Sequence, residues 1–205
     1  MATTKSRSVV REYVEAALWA LVLTLFLRAF VIQAFRIPSA SMQDTLLIGD
    51  FLFVNKFEYG PKIPFTHIRL PGLRAPRRGD VIVFQFPQDP SKDFIKRCIA
   101  TGNETLEVKD KKVLVDGRPL VEPYAIHSDP SIRPAGYDFR DNFGPLTVPT
   151  NHLFMMGDNR DNSNDSRYWG TLDLDYVKGR AMFLYWSWDR EKNWPRWNRI
   201  FQVIR

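Results

Sequence analysis

Two serines flank a single alanine at Ser39-Ala40-Ser41, in the segment RIPSASMQDTLLIGD. A serine hydroxyl attacks a carbonyl only when a neighbouring base takes its proton, and Ser–Lys pairs are a known variant of that arrangement. Taken alone, such serines are read as surface or capping residues. The histidines His67, His127 and His152 are widely scattered. A lysine serves as a base only when neutral, and its reference pKa of about 10.4 falls by several units only through desolvation among apolar groups. Lys96 follows Phe94-Ile95 and precedes Cys98-Ile99, an apolar setting, although a lone lysine is ordinarily a solvated one. A third block, GDNRDNSNDSRYWG at 157–170, is dense in Asp, Asn and Arg. It fits a calcium-like loop or a turn-rich one, and Arg160 and Arg167 speak against a metal. With no H-E-x-x-H, no Cys pair and no EF-hand loop, neither a metal nor a cofactor is expected. The missing G-x-S-x-G, G-x-G-x-x-G and P-loop patterns remove the simplest routes to a lipase, a dinucleotide enzyme or a nucleotide hydrolase.

The elements that must position these residues begin with an apolar run. Ala16 to Leu27 carries no charge, and after Arg28 the run resumes as AFVIQAF. A bilayer core of roughly 30 Å needs about 20 helical residues, so a spanning helix at 13–35 has Arg28 near its outer end, reaching for head groups. A buried or in-plane helix is the alternative. Lys5, Arg7 and Arg11 place the short N-terminus, 1–12, in the cytoplasm and the chain after Phe35 outside. Ser39-Ala40-Ser41 also has the small residues of a leader-processing site, but it lies too far beyond the apolar run for one.

Beyond the anchor, 36–205 is expected to form a mostly β, antiparallel domain, partly barrel-like, with a smaller β lobe at 103–152. The runs 50–57, 80–86, 105–110, 112–117 and 180–188 read as strands. Lys109-Asp110-Lys111-Lys112 and Asp116-Gly117 read as tight turns. The Pro- and Gly-rich stretch 57–78 reads as an irregular excursion. A content of 44% hydrophobic and 25% charged residues suits a folded core rather than disorder. The single cysteine, Cys98, rules out an internal disulfide and is expected in that core. A net charge of +6 suits nucleic acid or an anionic lipid surface. The Trp- and Arg-rich C-terminus, holding Trp186, Trp188, Trp194 and Trp197, fits a membrane interface or the packing of a β domain.

Four blocks follow the apolar run in order: PSASM, RRGDVIVFQFP at 77–87, FIKRCIATGNETLEV at 94–108 and GDNRDNSNDSRYWG. Together they closely resemble the bacterial type I signal peptidases, the leader peptidases. The resemblance implies a membrane-bound serine endopeptidase that removes signal peptides from exported preproteins after a small-x-small motif. It implies Ser41 as nucleophile, Lys96 as general base and Ser39 as a hydroxyl of the oxyanion hole. Ser163 would hydrogen-bond and orient the Lys96 amine. Asp165 and Arg167 would form a structural ion pair, and Asp158 would belong to the same support. Phe35, Ile37, Met42, Leu46 and Ile95 match the walls of the shallow substrate pockets, and the substrate would lie as a strand near Ser41 and 93–95. The implied partners are preprotein signal peptides, the bilayer of the inner membrane and a nearby export channel, with no nucleic acid. Ala40 stands where the family usually has glycine, which costs more if that backbone needs φ > 0. Two other readings remain. A soluble self-cleaving Ser–Lys repressor would usually carry a DNA-binding helix pair, which is not seen here. A non-catalytic membrane-anchored β module would not need these blocks.

Overall fold

The computed structural model describes residues 9–63, 66 and 68–205. Lys5, Arg7 and His67 lie outside the described residues. The apolar run forms α1 (Val9–Phe26), which continues through a wider helical turn, Leu27–Val31. None of α1 is buried against the protein. Its 23 residues to Val31 are long and apolar enough to cross a bilayer, rising roughly 34 Å against a core of about 30 Å.

The expected helix at 13–35 stops short of its predicted end. Ile32–Arg36 instead forms β1, paired antiparallel with 51–55. The junction is closed by backbone bonding: the Lys56 N–H donates to the Val31 carbonyl, and the Lys56 amine to the carbonyls of Arg28 and Ala29. Ile and Phe, like Val, favour strands, so once a partner strand is available the helix ends there.

The remaining strands are β2 (Asp50–Asn55), β3 (Val81–Phe86), β4 (Asp89–Thr101), β5 (Thr105–Lys109), β6 (Lys112–Val115), β7 (Arg118–Pro119), β8 (Phe143–Thr147), β9 (His152–Met156), β10 (Leu172–Asp173), β11 (Val177–Asp189) and β12 (Trp194–Pro195). A large sheet has the order β1-β2-β11-β3-β4-β9-β10, with β12 also on β11; a smaller one has the order β7-β6-β5-β8. All pairings between the named strands are antiparallel, as expected, but both sheets stay open rather than closing toward a barrel.

The two expected tight turns form. Asp110 and Lys111, with φ of 47° and 68°, link β5 to β6, while Asp116 and Gly117, at 51° and 74°, link β6 to β7. Paired positive φ values match the twist of a two-residue hairpin.

β3 is buried on both faces. Val81 and Val83 pack into one cluster with Met42, Leu46 and Leu52, whereas Ile82 and Phe84 pack with Cys98 and Met155 on the other side. Cys98 is a buried core residue, as anticipated. A third cluster, around Ile99, Leu106 and Phe154, joins the two sheets. Of the C-terminal tryptophans, Trp194 and Trp197 are exposed, with Trp197 set edge-on to Trp186.

Candidate active site

The serine pair sits on a loop whose neck is closed by two backbone bonds, from the Ile37 N–H to the Asp50 carbonyl and from the Gly49 N–H to the Ile37 carbonyl. Inside the neck the chain turns tightly, with the Gln43 N–H donating to the Ala40 carbonyl and the Leu46 N–H to that of Met42. Met42 and Leu46, at 0% exposure, anchor this turn in the core. Ala40 is not among the positive-φ residues, so an alanine fits where the family usually has glycine. Ser41 is buried and Ser39 exposed, with their hydroxyl oxygens 3.5 Å apart.

β4 delivers the lysine. Lys96 pairs with Ile82 across β3, two residues after Phe94 on the same face of the strand. Its Nζ lies 2.5 Å from Ser41 Oγ, and the residue is 4% exposed. The ammonium position is also 5.6 Å from the Phe94 ring centroid. Burial pulls the Lys96 pKa down; the Asp165 and Asp158 carboxylates push back and Arg167 adds to the fall, leaving it at about 8. A cavity of about 300 Å³ opens over this pair, walled by Pro38, Ala40, Phe94, Asn162 and Asn164. His127 lies beside Asp161 and His152 beside Asp173; neither lines that cavity.

The expected pocket residues separate into two groups. Phe35, Ile37 and Ile95 line a small cavity of about 30 Å³ adjoining the first. Met42 lines neither, and Leu46 borders a different depression with Gln43 and Ile48. Both serve as core beneath the loop, because the turn that follows Ala40 points them inward. β4 also has a free edge here. β9 pairs with it only between Arg97 and Thr101, so Asp93–Lys96, held by β3 on one side, is open on the side next to Ser41.

The 157–167 segment clamps the loop. The Asn159 N–H donates to the Ser41 carbonyl at 3.1 Å, and its side-chain amide to that of Ala40 at 3.2 Å. Gly157 is required there: a Cβ at that position would lie 2.5 Å from the Ser41 carbonyl oxygen and 2.3 Å from Ser163 Oγ. Asp158 accepts from Arg97 at 2.8 and 2.6 Å and from Thr45 at 2.6 Å, entirely buried. Arg97 stacks over Tyr124 at 3.9 Å. Asp165 caps the short helix Ser166–Trp169 and pairs with Arg167 at 2.8 Å. Burial pushes the Asp165 carboxyl up, but the Arg167 charge and hydrogen bonds outweigh it and hold the carboxyl below its usual range. Arg167 also donates to the carbonyls of Arg140 and Arg160, tying the loop to the smaller lobe.

One expected contact is not made. Ser163 is buried, but among the described residues its hydroxyl has no hydrogen-bond partner and does not donate to Lys96. It packs against Gly157 instead, near enough to Asp165 to favour that carboxylate's charge. Sequence reasoning did not single out Arg97, Asn159 or Phe94. All three lie within the blocks that carried the resemblance, yet their roles depend on distant partners.

The family model described as "Signal peptidase, peptidase S26" matches residues 10–186. The chain is similar to signal peptidase I of Pseudomonas aeruginosa, at 34% identity over 92% of this chain and 78% of that one. It is likewise similar to signal peptidase I of Aquifex aeolicus, at 34% identity over 80% and 79%. A solved signal peptidase I from Enterococcus faecalis V583 aligns with 52% of this chain and 97% of its own, at 30% identity and a TM-score of 0.44.

Proposed function

The chain belongs to the signal peptidase family, peptidase S26, and from this premise we propose that it cleaves signal peptides from exported preproteins through a Ser41–Lys96 pair. The observation that carries the reading is the 2.5 Å contact between Lys96 Nζ and Ser41 Oγ, made by a lysine whose pKa burial lowers to about 8. Neutral Lys96 takes the Ser41 proton as Oγ attacks the scissile carbonyl carbon. The resulting ammonium returns a proton to the leaving amine as the C–N bond breaks. Water then attacks the acyl-enzyme, with Lys96 again receiving a proton and Ser41 Oγ leaving with one.

The tetrahedral oxyanion is held by the Ser41 N–H and the Ser39 hydroxyl. The Ser41 N–H has no acceptor among the described residues, and the Ser39 hydroxyl stands 3.5 Å from the nucleophile. The substrate adds as a strand along the open edge at Asp93–Lys96, which gives sequence-tolerant backbone recognition. The small cavity beside Phe35, Ile37 and Ile95, at about 30 Å³, restricts one substrate side chain to a small residue. This fits a small-x-small motif.

α1 crosses the inner membrane once, with the N-terminus in the cytoplasm and the catalytic domain outside, next to the export channel. The reading is tested with the full chain in detergent and a preprotein carrying a small-x-small site. Ser41→Ala and Lys96→Ala are expected to abolish cleavage while circular dichroism stays unchanged; cleavage retained by either variant overturns the pair.

A further inference from the structure

The domain-proximal end of the α1 segment is surrounded by lysines that the reaction does not use. Lys56 donates to the carbonyls of Arg28 and Ala29 at 3.0 and 3.3 Å. Together with Lys62, Lys178 and the amides of Gln33 and Gln85, it walls a cavity of about 180 Å³ that reaches Ala29 itself. That is room for about six waters at liquid density. The carboxylates facing this cluster are Asp175, 3.9 Å from Lys62, and Asp93, 2.7 Å from Lys178. Among the described residues, no carboxylate forms an ion pair with Lys56 or Arg28. Burial, followed by the charges of Lys178 and Arg28, keeps the Lys56 pKa below the ordinary lysine value. Three lysines and one carboxylate line the cavity, with Arg28 close enough to Lys56 to add its charge and Asp93 paired to Lys178, which leaves a positive excess in a concave site where the helix meets the domain.

We propose that this cavity binds the phosphate ester of an anionic membrane lipid and so fixes the domain against the bilayer at the helix end. Lysines suit a phosphate as point charges, and basic pockets beside membrane helices take lipid head groups by the same attraction. The inference rests on α1 spanning the membrane, not on the catalytic pair. An occupied site neutralises the cluster and steadies the Arg28–Lys56 junction, from which β1 leads to the Ser41 loop.

The test is native mass spectrometry of the full chain in neutral detergent, titrated with dioleoylphosphatidylglycerol, dioleoylphosphatidylcholine or inorganic phosphate. One phosphatidylglycerol is expected to be retained in preference to phosphatidylcholine. Lys56→Gln and Lys62→Gln are each expected to weaken its retention roughly fivefold, about what one lysine contributes near an anionic surface. Lys56→Arg and the distant Lys112→Gln are expected to retain it. Retention by the two glutamine variants equal to that of the wild type, or an equal loss in Lys112→Gln, overturns the site. Retention of inorganic phosphate but not of phosphatidylglycerol overturns the lipid assignment. Wild type and variants are expected to associate equally with phosphatidylcholine vesicles, which reports α1 alone and separates a failed anchor from a failed pocket.

Discussion

The perturbation that probes the catalytic reading most directly is pH. With a Lys96 pKa of about 8, about 1% of the enzyme carries a neutral lysine at pH 6, about a tenth at pH 7 and half at pH 8. A lysine at the ordinary value of 10.5 would be only about 0.03% neutral at pH 7. Burial therefore raises the competent fraction about 300-fold at neutral pH. The rate constant kcat/KM is expected to rise nearly tenfold from pH 6 to 7, about fivefold from 7 to 8, and less than twofold from 8 to 9. The assay is single-turnover cleavage of a preprotein by the full chain in detergent, with circular dichroism confirming the fold at each pH. A midpoint near 6.5 that disappears on replacing His127 or His152 would refute the argument. So would a rise that continues without levelling beyond pH 10, since Lys96 would then be titrating as a solvated lysine.

The same burial bears on stability. The folded-state pKa lies below the unfolded one, so the charged lysine destabilises the fold below about pH 8, by about 3 kcal/mol, and this cost fades as pH rises toward 10.5. Lys96→Met is expected to be inactive yet more resistant to denaturant than wild type at pH 7, with the advantage gone by pH 10.5; a variant no more stable at pH 7 would contradict the burial argument. Ser39→Ala removes one oxyanion donor and is expected to lower kcat by about 10² to 10³ with little change in KM. A tenfold rise in KM at unchanged kcat would assign Ser39 to binding instead. Ile95→Ala widens the small cavity and is expected to admit larger residues at the restricted substrate position, read as the ratio of kcat/KM for leucine and alanine substrates; an unchanged ratio would place that pocket elsewhere.

Much of the domain was legible as local pattern. The runs 80–86, 105–110 and 112–117 became β3, β5 and β6, and the turns at Asp110-Lys111 and Asp116-Gly117 formed where polar residues and glycine interrupt them. Only an edge near 93–95 was expected of β4, which was not among the runs read as strands, because Asp89-Pro90-Ser91-Lys92-Asp93 has neither alternation nor β-branched residues. Only its pairing with β3 and β9 makes one long strand of that polar start and the apolar run after it.

By itself, the sequence determined the residue types and their order: an apolar helix, a serine pair just beyond it, a lysine among apolar neighbours and a loop rich in Asp, Asn and Arg. These are properties of contiguous residues, which pattern and motif can report. Tertiary structure alone decided that the helix yields to β1 at Ile32, that Met42 and Leu46 turn inward, and that Ser163 packs against Gly157 without reaching Lys96. It also decided that Arg97 neutralises Asp158 and that Asn159 grips the carbonyls beside the nucleophile. Each of these depends on which distant segment arrives as a neighbour. The 2.5 Å between Ser41 and Lys96 spans 55 positions of chain, and the lysine's basicity depends on the burial that this approach creates.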